Sequence, residues 1–246
     1  EPGDDFEKLP SVNSKNQMPP VNITEEIILS KLSKLKTDKS PGPDALHPRI
    51  LQEVKMEIVH PLVHIFRLSM DTGELPDDWK SNTITAIFKK GFKSKMGNYR
   101  PVSLTCIICK VFESIIRDSM MEYFCSNGLF SRKQYGFIKG RSTVMQMLKI
   151  LDQWTLGLEK GGYFDIIYTD FEKAFDKVPH RRLLNKLISY GVRPEVVKWI
   201  EGFLIHRQQR TGVRGHYSGW RKVLSGIPQG SVLVPLLFVI YKRFAD

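Results

Sequence analysis

Apolar residues recur at helical spacing along several stretches of the chain and alternate with polar ones along a few shorter ones. Ile28, Leu32 and Leu35 share a face behind Thr24, and Glu25 and Glu26 fill the opening turn, so a capped helix starts there. It stops at Ser40-Pro41-Gly42-Pro43-Asp44, where each proline disfavours helix in the residue before it. Helices are also predicted over Pro48–Ser69, Lys110–Cys125, Arg181–Tyr190 and Pro194–Leu204. In the second of these Phe112, Ile116, Met120 and Phe124 line one side, and Asn127-Gly128 supplies the stop. Thr83–Phe88 reads as a strand that turns through the basic loop Lys89–Arg100 into Val102–Leu104, a hairpin with a positive tip. Phe164–Asp170 is the most strand-like run of the chain and ends on a carboxylate. A second hairpin, Arg210–Val213 with Trp220–Leu224, leads into Ser225-Gly226-Ile227-Pro228-Gln229-Gly230-Ser231 and an apolar helix. Strands and helices mix irregularly, which predicts an α+β fold rather than a doubly wound parallel sheet.

Composition narrows the function. The 246 residues suffice for a sizeable core, and Lys and Arg outnumber Asp and Glu by 37 to 26, a net charge of +11. Such an excess attracts polyanions, chiefly nucleic acid, although a basic surface also serves solubility. Cys106, Cys109 and Cys125 are too few for a disulfide framework, which points to a reducing, intracellular setting and not a secreted one. Cys106 and Cys109 form a CxxC without two further ligands nearby, so they read as packing thiols rather than a zinc site. His60 and His64 lack the glutamate of a metalloprotease pattern. No signal peptide is evident, and the longest apolar run, Val232–Tyr241, is too short to span a bilayer, so no membrane partner is expected. Residues 1–22 are polar, carry Pro19-Pro20 and read as a linker from something upstream.

The candidate chemistry starts at Asp170-Phe171-Glu172-Lys173-Ala174-Phe175-Asp176. A carboxylate at a strand end is held rigidly over an open crevice, as two-metal phosphoryl transfer requires of its oxygen ligands. A second acid must come from elsewhere, and Asp246, after Phe244-Ala245, is the candidate. Asp165, Glu172 and Asp176 read as solvated or loop-capping acids.

The run Tyr168–Val178 resembles the first catalytic block of reverse transcriptases from non-LTR, LINE-like retrotransposons. Lys39–Asp44, Asn98-Tyr99-Arg100-Pro101-Val102-Ser103-Leu104, Gln134-Tyr135-Gly136-Phe137-Ile138-Lys139-Gly140-Arg141-Ser142 and Ser225–Ser231 are similar to other blocks of that family, in its order. The resemblance implies a right-hand polymerase with an N-terminal extension and fingers over 23–160 and an incomplete palm over 161–246, the thumb being absent. It implies an RNA template, a DNA primer, deoxynucleoside triphosphates and two Mg²⁺ ions, with Asp170, the Phe171 carbonyl and Asp246 as ligands. Lys89, Lys90 and Arg100 would grip the triphosphate, and Phe171, Phe175, Gln229 and Gly230 would border the nucleotide. Phe175 stands where the family has a steric gate against the ribose 2′-hydroxyl. Pro41, Gly42, Asp44, Gly140 and Arg141 would face template and primer. The chain departs from the family after Ile240, where a connecting hairpin is missing; Val234 replaces a glycine, and Phe244-Ala245-Asp246 lacks the family's second Asp. The resemblance therefore predicts weak or absent catalysis in this polypeptide, expected in cytoplasm and nucleus, with a non-catalytic nucleic-acid-binding remnant as the alternative. Oligomeric state is left open.

Overall fold

A computed structural model of the chain describes residues 17–242. Helices α1 (Glu25–Ser33), α2 (Pro48–Glu53), α3 (Lys55–Thr72) and α4 (Asp77–Lys80) precede strands β1 (Ser81–Phe88) and β2 (Tyr99–Leu104). After these come α5 (Ile107–Ser126), α6 (Thr143–Glu159), α7 (His180–Ser189) and α8 (Pro194–Leu204). Three short strands, β3 (Gln208–Val213), β4 (His216–Tyr217) and β5 (Arg221–Lys222), lead to α9 (Val234–Lys242). The fold is mixed α+β, as the pattern of the sequence requires.

The core forms around α5, whose apolar residues occupy nearly its whole circumference. Phe112 is fully buried, stacked on Phe66 of α3 at 4.5 Å between ring centroids, with Trp79 and Trp199 edge-on at 6.1 and 5.1 Å. Burying one such ring contributes about 1.5–3 kcal/mol relative to leaving it in water. Polar tips inside this cluster find partners: the Trp199 indole donates to Ser69 Oγ at 3.0 Å and the Tyr123 hydroxyl to the Tyr190 carbonyl at 2.7 Å. Thr24 caps α1 through the Ile27 N–H, as its position before the acidic turn predicts.

One mixed sheet lies beside this helical core. β1 pairs antiparallel with β2, Thr83 facing Leu104 and Ile87 facing Arg100, and parallel with β3, Thr83 facing Arg210. β4 and β5 each add antiparallel to β3, so the order runs β2-β1-β3-β4 with β5 also on β3. The outer edge of β2 is left free for the turn described below.

Three expectations need correction or addition. The helix foreseen over Pro48–Ser69 is two helices meeting at Val54. The helix α6 was not foreseen at all. The strand expected over Phe164–Asp170 is not formed; the segment carries no regular structure, and Ile167 and Tyr168 are 87% and 85% exposed. A strand is stabilised by a neighbour that takes its N–H and C=O groups, and the five described strands pair only among themselves. Without a neighbour, an Ile/Tyr-rich run stays hydrated however strong its β propensity.

Candidate nucleotide-binding site

Glu172 to Lys177 form consecutive turns after the exposed Asp170, and this loop is bonded to the glycine-proline turn near the other end of the chain. The Ile227 N–H donates to the Phe175 carbonyl at 2.9 Å and the Gly226 N–H to the Val178 carbonyl at 3.2 Å. Gly226 has a φ of +82°, and a Cβ there would sit 2.6 Å from the Asp176 carbonyl oxygen, so only glycine lets the two loops approach this closely. The ring of His180 anchors the same turn through the Gly226 carbonyl at 2.6 Å.

The turn in its turn docks on the free edge of β2. The Ser103 N–H donates to the Gln229 carbonyl at 2.7 Å, and Gly230, at φ +122°, would place a Cβ 2.6 Å from the Ser103 carbonyl oxygen. A continuous backbone line therefore joins Phe175, Gly226, Gln229 and Ser103. Arg100 lies three residues before Ser103 on the same strand, roughly 10 Å along it, and is exposed. Lys89 and Lys90 stand at the hairpin tip, closed by the Lys89 N–H to the Asn98 carbonyl at 2.8 Å, and are exposed a further two or so residues out. Of the three cations, Arg100 is the one nearest the turn along the strand.

What fixes the turn from behind is a residue the sequence reading missed. Glu113, fully buried on α5, accepts at one carboxylate oxygen from the Ser231 hydroxyl, from the Val232 N–H at 2.8 Å and from the Leu233 N–H at 3.0 Å. These are donors at the start of α9 that have no partner inside the helix, and a carboxylate there also meets the positive end of the helix dipole. The Cys109 thiol lies 3.8 Å from the other oxygen. Burial raises the Glu113 carboxyl above its ordinary range; the Ser231 hydroxyl, the Leu233 N–H, Arg207 and Lys110 pull the other way. Arg207, almost wholly buried itself, donates to the Phe203 and Trp79 carbonyls at 3.0 and 3.3 Å. The available signal was an acid set among Val111, Phe112, Ile115 and Ile116, a position where an exposed carboxylate does not belong.

The remaining candidates are placed as follows. The rings of Phe171 and Phe175 both lean on Phe238 of α9, at 6.3 and 5.0 Å, and the Lys242 ammonium lies 4.6 Å over Phe171. The Pro41–Asp44 loop packs on the β2–α5 junction, where a Cβ on Gly42 would meet the Thr105 carbonyl oxygen at 2.7 Å. Both Asp44 oxygens are buried there without a conventional donor among the described residues, next to the Cys106 thiol. Burial, with Asp44 beside it, pushes that thiol up to about 12. Arg141 donates to the Ser131 and Gln134 carbonyls, both at 2.6 Å, and so ties down the loop that carries Tyr135 and Gly136; Gly140 is exposed. A cavity of about 340 Å³ opens beside that loop, lined among others by Gln134, Tyr135, Gln146 and Lys242. Glu172 pairs with Lys177 at 3.0 Å, which holds its carboxyl below the ordinary value.

Asp246 lies outside the described residues. Among the described residues no group of three or more His, Cys, Asp or Glu stands close enough to hold a metal ion. Asp170 by itself, exposed on an unpaired segment, does not amount to the magnesium site that the motifs imply. No helix among the described residues is long and apolar enough to cross a membrane.

A basic hairpin whose edge receives a Pro-Gln-Gly turn, itself bonded to the loop after Asp170, is the frame of the candidate site. The family described as reverse transcriptase (RNA-dependent DNA polymerase) matches residues 87–243, more than half of the chain, and the chain belongs to it. It is 29% identical over 96% of its length to a probable RNA-directed DNA polymerase from transposon BS of Drosophila melanogaster, covering 26% of that protein. It is also 29% identical over 89% of its length to the RNA-directed DNA polymerase from mobile element jockey of the same fly, covering 24%. A Pol polyprotein from the type-1 retrotransposable element R2 of Popillia japonica is 24% identical over 81% of the chain. The chain thus spans about a quarter of the length of the curated relatives it matches, and the non-LTR retrotransposon resemblance read from its motifs holds.

Proposed function

We propose that this chain is the nucleotide- and template-binding part of an RNA-directed DNA polymerase, which extends a DNA primer on an RNA template with deoxynucleoside triphosphates. The observation that carries the reading is the hydrogen-bonded line from Phe175 through Ile227 and Gln229 to Ser103, which gathers the Asp170 block, the glutamine turn and the hairpin of Arg100. In this reading Arg100 grips the triphosphate through a bidentate fork, with Lys89 and Lys90 as point charges. Gln229 and Gly230 border the incoming nucleotide, and the Phe175 ring, braced on Phe238, excludes a ribose 2′-hydroxyl. Asp170, together with Asp246, is assigned to the reacting end, where magnesium would neutralise the phosphates. Pro41, Gly42 and Asp44 shape the neighbouring wall, and Gly140 and Arg141 hold the loop on the template side.

Catalysis by this polypeptide is weak in the same reading, because Asp170 hangs on an unpaired segment, and positional errors near 1 Å cost about 10²-fold in rate. A primer-extension assay with an RNA template, magnesium and deoxynucleotides is expected to give trace product at most, lost in Asp170→Ala. Robust extension abolished by Asp170→Ala overturns the weakness and keeps the polymerase; failure to bind a deoxynucleoside triphosphate at low salt overturns the polymerase. The unformed strand also favours a second reading, a nucleic-acid-binding protein without catalysis, for which binding persists in EDTA and extension is never seen.

A further inference from the structure

The net charge of the chain is not spread evenly along its sequence. The two stretches that contain the sheet, residues 79–112 and 202–242, hold 13 of the 37 basic residues and none of the 26 acidic ones. The rest of the chain, 24 basic against 26 acidic, is net −2, so the positive excess of the sequence falls within the stretches that contain the sheet. A charge kept for solubility needs no such segregation, whereas a charge kept for a polyanion does.

Within the sheet, the ribbon β3–β4–β5 occupies the side opposite the β2 edge on which the Gln229 turn docks, two strand spacings or roughly 10 Å away. It is therefore a different surface from the nucleotide site. The Arg210 guanidinium lies between two aromatic rings, 4.1 Å from the Tyr217 centroid and 4.8 Å from that of Trp220, and its Nε donates to Thr83 Oγ1 at 3.3 Å. Both rings nevertheless remain exposed, Tyr217 at 58% and Trp220 at 42%. Lys222 faces Gln208 across the ladder and so shares the Arg210 side of the sheet; Arg221, facing Gln209, projects from the opposite side. The parallel register of β1 and β3 carries Arg214, in the β3–β4 turn, level with Ile87 and hence with Arg100. Among the described residues no ion pair engages Arg210, Arg214, Arg221 or Lys222. The cleft at the root of the ribbon is lined by His180, His206, Gln208 and Lys222, again without an acid.

We infer that the β3–β4–β5 ribbon is a second nucleic-acid site, which holds a single strand by its phosphates at Arg214 and Lys222 and stacks bases on Tyr217 and Trp220, independently of magnesium and of nucleotide. Unpaired cations supply the salt-dependent affinity for phosphates, and rings with a free face select unstacked bases over a closed duplex. The site does not depend on catalysis, so a chain that fails to extend a primer leaves it standing.

The test is fluorescence anisotropy with a labelled oligouridine of about 20 nucleotides, in EDTA, across potassium chloride from about 50 to 200 mM, the range over which counterion release is read. The charge variant combines Arg214→Gly, which suits the φ of +47° at that turn, with Lys222→Thr, which suits a strand. It should weaken binding at least fivefold and lower the slope of log K against log salt by about 1.4, near 0.7 for each phosphate released. Tyr217→Ala with Trp220→Ala should weaken binding by about five- to a hundredfold and leave the slope unchanged. Retained thermal unfolding and retained deoxynucleotide binding at the Gln229 turn show that neither variant acts through misfolding. Parental affinity and slope in the charge variant overturn the proposal, and so does a DNA duplex of equal length that binds as tightly as the single strand.

Discussion

Helices α5 and α6 are similar in length, 20 and 17 residues, and each carries a strong apolar stripe, yet α5 buries half of its residues and α6 none. The difference lies in what stands opposite. α5 meets α1, the rings of α3 and α8, and through Glu113 the start of α9. α6 faces the segment that should have been a strand, and what anchors it there is Phe164, whose ring closes on Gly157 and lies 6.5 Å from Trp154. An amphipathic pattern determines which side of a helix will be apolar, but the partner that covers it must come from elsewhere in the chain. The half of the molecule that presents Asp170 is accordingly its least consolidated half, and the half that presents Gln229 its most consolidated.

The largest effect that tests this contrast is at Phe112. Removing a fully buried ring from a four-ring cluster costs about 3–5 kcal/mol, so Phe112→Ala should lower the unfolding free energy by that amount in a denaturant titration. A loss below about 1 kcal/mol would mean that α5 is no better packed than α6, and the contrast would collapse.

Next in size is Glu113. Glu113→Ala leaves the Ser231 hydroxyl and two N–H groups of α9 without their acceptor, at about 1–3 kcal/mol for each buried donor, offset in part by relief of a buried charge. We expect a net loss of about 2–3 kcal/mol, with the Gln229 turn loosened as well. The pH dependence has a definite sign. Because burial raises the folded carboxyl above its unfolded value, the folded state holds a proton that the unfolded state gives up first, so stability falls as pH climbs from the ordinary carboxylate value to the higher folded one. Below that window the group is protonated in both states and contributes no pH dependence. Glu113→Gln should flatten this decline when the two proteins are melted side by side, and an identical decline in both would remove Glu113 as its source.

Much of this was legible in the residues. The caps at Thr24 and the Pro at the start of α8, the step of four along Phe112–Phe124 and the hairpin around Lys89–Arg100 all act within a few positions, and each produced the element expected. The bonding of the Gly226-Ile227 turn to the Phe175–Val178 loop was not legible in the residues, because it joins positions some fifty apart and the close approach that Gly226 permits shows only in the folded chain. Phe164–Asp170 failed for a physical reason: β propensity describes fitness for a sheet and cannot supply the neighbouring strand. Glu113 was passed over because it reads as one polar residue in a helix, and its worth lies in donors more than a hundred positions away. The Arg210 stack was likewise invisible, since its two rings meet the guanidinium only once β4 and β5 have both paired with β3.

The smallest predicted effect sharpens the contrast most. Leu148 and Leu151 of α6 are 62% and 51% exposed, so exchanging both for Gln, a residue of nearly equal helix propensity, removes little packing. The double variant Leu148→Gln, Leu151→Gln should unfold within about 0.5 kcal/mol of the parent, as surface substitutions do, while its binding of a hydrophobic dye such as ANS falls. A loss above about 2 kcal/mol would place these leucines under cover and would give α6 a packed partner. The strand over Phe164–Asp170 would then be the first candidate for that partner, with backbone amides protected from hydrogen exchange rather than exchanging at once as an unpaired segment must.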